Sequence, residues 1–126
     1  MIPPIVQSQF LELQRNYKDA QMREHGNGVV ITIPGVELLP KGHWNKDNAT
    51  VRILAPAGYP QAKPDCFWVD QDVRLAGGGV PVNTAFNDQV GENLLWFSWH
   101  VGRWNPNVDT LKTYFNVVRE RLRQPR

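Results

Sequence analysis

Two residues near the end of the chain, Ser98 and His100, have the types and the spacing for nucleophilic catalysis. In an extended segment, residues two apart face the same side and lie about 6–7 Å from each other. A rotated imidazole could then reach the serine hydroxyl directly or through one water and act as its general base. The pattern is equally consistent with a structural pair, in which Ser98 bonds a backbone group and His100 donates to a loop carbonyl.

Asp109 is the acidic residue that could complete such a site, by orienting His100 as the carboxylate of a catalytic triad does. It also stands just before an amphipathic segment, where an aspartate is a natural helix N-cap. The sequence favours the capping role, with Asn107 as the other candidate cap.

Cys66 is the only cysteine, which excludes an internal disulfide. Its neighbours Phe67, Trp68 and Val69 are apolar, so the pattern predicts a small buried side chain with an unreactive thiol. One cysteine and three scattered histidines do not match the ligand spacing of a zinc site. We therefore expect no metal and no cofactor.

The elements that must position these residues are predicted from periodicity and turn signals. Apolar residues at helical spacing predict a first helix over 4–17, with Ile5, Phe10, Leu13 and Tyr17 on its buried side, and a last helix over about 109–123. Between them, β-branched and alternating runs bounded by glycine or proline predict four strands in an antiparallel meander. These strands are 20–24, 29–33, 49–55 and 66–69, the second closed by Pro34 and Gly35.

Residues 70–93 have no sustained period and contain three consecutive glycines, which predicts a long irregular loop. A loop of this length in a small domain often has a function. A phosphate-binding reading of the glycines fails, because no Gly-Lys-Ser/Thr step follows them.

Composition limits the function classes. The 126 residues suit a single α+β domain spanning 1–126. Fourteen basic residues against twelve acidic ones give a formal charge of +2, which offers no argument for nucleic acid or a membrane surface as partner. The N-terminus does not fit a secretory signal and no run is long enough to span a membrane, so we expect a cytoplasmic protein.

The order of these features resembles the ubiquitin-conjugating superfamily across most of the chain. The resemblance rests on the turn Tyr59-Pro60-Gln61-Ala62-Lys63-Pro64, the long loop, the strand after it, and the step Trp104-Asn105-Pro106 into the last helix. The segments Pro64-Asp65-Cys66-Phe67-Trp68 and Phe97-Ser98-Trp99-His100 are similar to a bacterial branch of that superfamily, which is typically encoded beside an activating enzyme, a ubiquitin-like protein and a deconjugating peptidase.

The resemblance implies a departure in chemistry. In that superfamily a thioester-forming cysteine lies eight residues before the tryptophan, where this chain has Trp96. Ser98 lies two residues further on the same face, so the resemblance implies an oxyester on Ser98 with His100 as base. An asparagine commonly stabilises the oxyanion, but no His-Pro-Asn motif is present, and Asn83 and Asn87 are only weak candidates for that role.

Three functions stay open at this point. The first is a conjugating-type enzyme that receives a ubiquitin-like protein from its activating enzyme, on Ser98 or on His100, and passes it to an amine. The second is an inactive adaptor that binds either protein. The third, independent of the resemblance, is a small-ligand module that uses the five tryptophans and the loop 70–93. In the first two, Tyr59, Pro60, Pro64, Trp104 and Pro106 are structural.

Overall fold

The computed structural model describes all 126 residues, and the chain forms two helices and one six-stranded sheet. In chain order the elements are α1 (Pro4–Gln14), β1 (Gln21–His25), β2 (Gly28–Glu37), β3 (Asn48–Ala55), β4 (Phe67–Val69), β5 (Thr84–Asn87), β6 (Leu94–Phe97) and α2 (Leu111–Leu122). The sheet is antiparallel throughout, with strand order β1-β2-β3-β4-β6-β5. This is the predicted α+β class.

The helix α1 starts as predicted, with a proline in its first turn, where a missing N–H is tolerated. It ends at Gln14, three residues before the predicted end. Val6, Phe10 and Leu13 are its buried residues, whereas Ile5, expected inside, is 41% exposed. Tyr17 lies beyond the helix and packs its ring edge-on against Phe115, with 5.2 Å between ring centroids.

The four predicted strands are present and pair in the predicted order. Several boundaries shift by one residue, and two differences bear on the packing and the site. Strand β2 does not stop at Pro34 and Gly35 but continues to Glu37, because a bulge between Ile33 and Val36 takes up the irregular residues and lets pairing with β3 resume. Strand β4 begins at Phe67, so Cys66 lies just outside it.

The meander is not the whole sheet, since β6 pairs with β4 and β5 pairs with β6 at the edge. The region 70–93 is therefore not one continuous loop, because Thr84–Asn87 forms β5. This strand shows no alternating pattern, since Ala85 and Phe86 are both exposed. Its pairing partner, rather than its own sequence, makes it a strand.

The main core lies between one face of the sheet and both helices. On β6 the side chains alternate, so Leu95 and Phe97 face this core, while Leu94 and Trp96 face a smaller apolar cluster with Trp68 on the other side of the sheet. Phe67 and Phe97 stack with ring centroids 4.7 Å apart. This packing fixes the ends of β4 and β6.

The helix α2 is capped by Thr110, not by Asp109 or Asn107. The Thr110 side chain accepts hydrogen bonds from the backbone N–H groups of Lys112 and Thr113, and the Thr113 hydroxyl accepts from the Thr110 N–H. This reciprocal arrangement is a capping box. No helix in the protein has the length and apolar character needed to cross a membrane.

Candidate active site

Three adjacent strand ends bring most of the predicted site residues together. The Cys66 N–H donates to the Trp99 carbonyl at 3.0 Å, and the Ser98 N–H donates to the Asn83 carbonyl at 2.8 Å. These bonds extend the pairing of β4, β6 and β5 just past the strands. Residues 65–66, 83 and 98–100, widely separated in sequence, therefore meet at one end of the sheet.

His100 is paired with an acidic residue that the sequence did not single out. Its Nδ1 lies 2.6 Å from Asp65 Oδ1, and its side chain is 62% exposed. Because a carboxylate only accepts, Nδ1 is the donor, and in the neutral imidazole Nε2 is then free to accept a proton. Asp109, the predicted orienting candidate, instead accepts a hydrogen bond from the Asn105 N–H at 2.7 Å.

Cys66 is buried, as predicted, with 7% of its surface exposed. Its backbone is left-handed, with φ at 62°, a conformation that costs energy for a residue other than glycine and often occurs at functional sites. The Tyr114 hydroxyl donates to its carbonyl. Both features turn the residue away from regular strand geometry.

The environment of the Cys66 thiol contains opposing influences. Burial is the largest and raises the thiol pKa, and the Asp65 carboxylate raises it further through its charge and a hydrogen bond. Hydrogen bonds from the Trp99 backbone and the Trp96 side chain act in the opposite direction. The net direction is upward, so the resting group is the thiol.

Asp65, Cys66 and His100 form a compact cluster, in which one donor atom from each lies within 4.8 Å of the other two. Such a set of carboxylate, thiol and imidazole is a combination used for both nucleophilic catalysis and metal binding. If a metal ion bound here, these three residues would hold it.

Ser98 lines a different cavity from Cys66. It is half-buried and lines an open cavity of about 410 Å³ with Asn83, Trp99 and His100. Its hydroxyl forms no hydrogen bond with the imidazole in the structure. Asn83 is exposed and has a left-handed backbone, with φ at 61°. Its backbone carbonyl accepts the hydrogen bond from the Ser98 N–H.

Asn87, the other candidate for the oxyanion role, lies at the opposite end of β5. Its Oδ1 accepts hydrogen bonds from the Trp68 indole N–H at 2.7 Å and from the Gln89 N–H at 3.3 Å. Its side-chain oxygen therefore fixes a buried tryptophan and the start of the following loop.

Trp96 is half-buried and lines a second cavity, of about 300 Å³, together with Lys63, Asp65, Cys66 and Gln89. Leu54, Pro56 and Trp68 form the apolar part of its wall. The position at which the resemblance places the nucleophile thus holds an indole that lines the same cavity as the cysteine just before β4.

The residues predicted to be structural lie beside this site. The Trp104 indole donates to the Pro60 carbonyl at 2.7 Å and its ring packs against Tyr59, whose hydroxyl donates to Gln9. Pro64 is buried directly before Asp65, and Pro106 is half-buried in the turn that leads towards α2.

The largest cavity, of about 580 Å³, lies elsewhere, among the end of α1, the bulge of β2 and the last turn of α2. Its lining is mostly polar and charged, including Lys18, Asp19, Glu37 and Arg119. It holds no cysteine, histidine or serine, so the nucleophilic candidates belong to the other two cavities, Ser98 to one and Cys66 to the other.

Asp65 is the site residue that sequence reasoning missed. It is 35 positions from His100 and forms no motif with it. The available signal was its place between Pro64 and Cys66, just before a buried strand whose neighbour leads into Ser98 and His100. Only the pairing of β4 with β6 shows that His100 is the partner of Asp65.

A comparison with protein-family models matches residues 5–125 to the family described as prokaryotic E2 family E. No curated protein and no solved structure matches the chain. The match covers nearly the whole sequence and includes every residue of the cluster. This chain therefore belongs to prokaryotic E2 family E and has a ubiquitin-conjugating-like role in general terms, with a ubiquitin-like protein and an activating enzyme as the implied kinds of partner.

Proposed function

We propose that this protein is an acyl carrier in a bacterial ubiquitin-like modification pathway. It receives the C-terminal carboxyl group of a ubiquitin-like protein from an activating enzyme, holds it as an ester, and passes it to an amine. The observation that carries the proposal is the 2.6 Å hydrogen bond between His100 Nδ1 and Asp65 Oδ1. It provides an oriented imidazole, with Nε2 free, at the sheet end where two nucleophilic side chains lie.

Ser98 is the hydroxyl acceptor within this proposal, as the sequence predicts. It shares a cavity with His100 and Asn83, so a small rotation of the imidazole could activate the hydroxyl. The product would be an oxyester, in place of the thioester that the usual cysteine forms. Asn83 is the nearest candidate for stabilising the oxyanion, whereas Asn87 is already bonded to Trp68.

The proposal treats residues 1–126 as one domain with the ubiquitin-conjugating fold, which needs no cofactor. The activating enzyme would dock on α1, as the resemblance implies. Two exposed apolar side chains there support this, Ile5 at 41% and Leu11 at 59%. A deconjugating peptidase would act later in the same pathway.

An adaptor role is the second candidate. The observations that favour it are the burial of Cys66 and the absence of a hydrogen bond between Ser98 and His100. An adaptor would bind the activating enzyme or the ubiquitin-like protein without forming a bond to either. A Trp-rich ligand module has less support, because Trp44 and Trp68 are buried and not available to a ligand.

The test is intact-mass measurement after incubation with the cognate activating enzyme, the mature ubiquitin-like protein and ATP. The proposal predicts an adduct that forms with the wild type, weakens strongly in His100→Ala, and is unchanged in His43→Ala, an exposed histidine on a remote loop. Complex formation without an adduct, when the activating enzyme is shown to be charged, would instead assign the adaptor role.

A further inference from the structure

We infer that Asp65, Cys66 and His100 form a binding site for one zinc ion. The basis is geometric, since one donor atom from each residue lies within 4.8 Å of the other two. The three groups are a carboxylate, a thiol and an imidazole, and zinc accepts all three types of ligand. Magnesium and calcium prefer oxygen ligands, so the sulfur and the ring nitrogen argue against them. The sequence spacing does not indicate this site, because His100 lies 35 positions from Asp65.

The backbone that carries the sulfur is anchored on two sides. The Cys66 N–H donates to the Trp99 carbonyl at 3.0 Å, and the Tyr114 hydroxyl donates to the Cys66 carbonyl. Because Trp99 directly precedes His100, the first bond also keeps the imidazole beside the thiol. The thiol is therefore presented from a fixed point between the end of β6 and α2, as a metal ligand must be.

The conformation of Cys66 explains how two adjacent residues can bind one ion. In a regular strand, the side chains of Asp65 and Cys66 would point to opposite faces of the sheet. The left-handed backbone at Cys66, with φ at 62°, breaks this alternation. Both residues line the cavity of about 300 Å³ next to Trp96, and this cavity gives an ion access to the buried sulfur.

The other two side chains are free to move onto a metal ion. Two ligands of one zinc ion lie about 3–4 Å apart, because zinc–ligand bonds are about 2.0–2.3 Å long. His100 Nδ1 and Asp65 Oδ1 are 2.6 Å apart, so they must separate by roughly 1 Å to bind the same ion. The His100 side chain is 62% exposed and that of Asp65 is 49% exposed, so packing does not oppose this movement.

The charges of the cluster match a divalent cation. A cysteine that binds zinc is a thiolate, so its proton is released to solvent, and with the Asp65 carboxylate it supplies two negative charges. Lys63 is the cationic residue that lines the same cavity, but its ammonium group lies 3.5 Å from the Val101 carbonyl. The apolar residues of the cavity wall exclude water from the sulfur side of the site, which strengthens the attraction between the ion and its ligands.

A bound zinc ion would withdraw His100 from the transfer reaction. If the ion binds Nε2, that nitrogen can no longer accept a proton. If the ion binds Nδ1, it replaces the hydrogen bond to Asp65 that orients the ring. In either case zinc and the transfer exclude each other. This consequence rests on the proposed function, whereas the metal site does not.

The experiment titrates metal-free wild-type protein with zinc by calorimetry and with cobalt by absorption spectroscopy. We expect one zinc ion per chain, and a near-ultraviolet thiolate-to-cobalt band that zinc removes because it binds such sites more tightly. Cys66 is the only cysteine, so this band identifies it as a ligand without any variant. A wild-type protein that binds cobalt without the band, or binds no zinc, would overturn the inference.

Variants identify the other two ligands. His100→Ala and Asp65→Ala alter exposed residues and should weaken zinc binding by at least about 10-fold to 100-fold. His43→Ala and Asp88→Ala, which alter an exposed histidine and an exposed aspartate in other turns, are the matched controls and should bind zinc as the wild type does. Equal zinc affinities for His100→Ala and His43→Ala would overturn the inference.

The consequence for transfer is tested with protein loaded with one equivalent of zinc and freed of excess. It should form no adduct with the charged activating enzyme, and removal of the zinc by a chelator should restore the adduct. An equal adduct with and without bound zinc would overturn the consequence. Failure of the metal-free protein to form an adduct would overturn the proposed function, while the calorimetry and the cobalt band still decide on the metal site.

Discussion

His100 Nδ1 and Asp65 Oδ1 lie 2.6 Å apart although the two residues are separated by 35 positions in the chain. The contact exists because β6 pairs with β4, which places the residues after one strand beside those before the other. It converts two ordinary surface residues into an oriented imidazole next to a thiol. The predictions below follow from this contact and from the packing that holds it.

Asp65→Asn should separate the reactivity of the thiol from the transfer reaction. Asp65 raises the Cys66 pKa, so its removal lowers that pKa and increases the thiolate fraction at neutral pH. Alkylation of Cys66 by iodoacetamide should become faster, whereas transfer should slow by about 100-fold because His100 loses its partner. Asp88→Asn, an exposed aspartate in a turn, is the matched control. Parallel changes in alkylation and transfer would contradict this account.

The ion pair between Arg52 and Asp70 should make stability depend on acid. Burial would raise the Asp70 pKa, but hydrogen bonds from the Thr50 N–H and from Arg52, both at 2.9 Å, together with the positive charges of Arg52 and Lys46, lower it overall. A carboxyl whose folded-state pKa is depressed contributes stability above its unfolded pKa, about 3.9, and loses it as pH falls through the folded value. Urea unfolding as a function of pH should show this loss below about pH 4.

Asp70→Asn should flatten that acid dependence and lower stability at neutral pH by about 1–2 kcal/mol, since Arg52 stays buried with a weakened set of partners. Asp72→Asn removes an exposed partner of Lys46 and should change stability by less than about 0.5 kcal/mol. Equal effects of the two substitutions would show that the Arg52–Asp70 pair contributes no more to stability than the exposed Lys46–Asp72 pair.

Among the charged residues of α2, Arg121 is the one whose replacement should lower the free energy of unfolding most. It is fully buried, donates to the backbone carbonyls of Val82, Gln124 and Arg126, and lies 5.0 Å from the Phe97 ring centroid and 5.5 Å from that of Trp99. Burial, the largest cause, and the charge of Arg126 lower its pKa to about 10.

Arg121→Lys should destabilise the protein by about 2–4 kcal/mol in urea unfolding, because one ammonium group cannot reach three carbonyls in the geometry of a planar guanidinium. The exposed Arg123→Lys is the control and should be nearly neutral. Similar midpoints for both variants would argue against a structural role for Arg121.

The start of α2 provides a test of local capping. Thr110→Ala removes the side chain that accepts two backbone N–H groups and should cost about 1 kcal/mol. Asp109→Ala removes only the bond to the Asn105 N–H and should cost less. Thermal unfolding of the two variants decides between Thr110 and Asp109 as the cap.

The sequence predicted those parts of the fold that depend on local pattern. The apolar spacing of α2 and the β-branched run of β2 are strong local signals, and the structure has both elements. Strand β5 lacks such a signal because Ala85 and Phe86 are both exposed, so only its pairing with β6 forms it. The bulge in β2 was missed for a related reason, since Pro34 and Gly35 more often end a strand.

The candidate site likewise contains residues that local spacing predicts and residues that only strand pairing brings together. Ser98 and His100 were predicted as neighbours from their two-residue spacing, and both line one cavity. Asp65 could not be predicted, because its contact with His100 depends on strand pairing across 35 residues. Cys66 was expected in a regular strand, and the left-handed backbone that places it in the cluster has no sequence signal.

The most direct test of the central claim is a single-turnover transfer assay. Purified activating enzyme, already charged with the ubiquitin-like protein and freed of ATP, is mixed with this protein, and intact mass is followed in time. The account predicts that this chain gains the mass of the ubiquitin-like protein less one water as the activating enzyme discharges. Discharge of the activating enzyme with no mass gain on this chain, or no discharge at all, would contradict it.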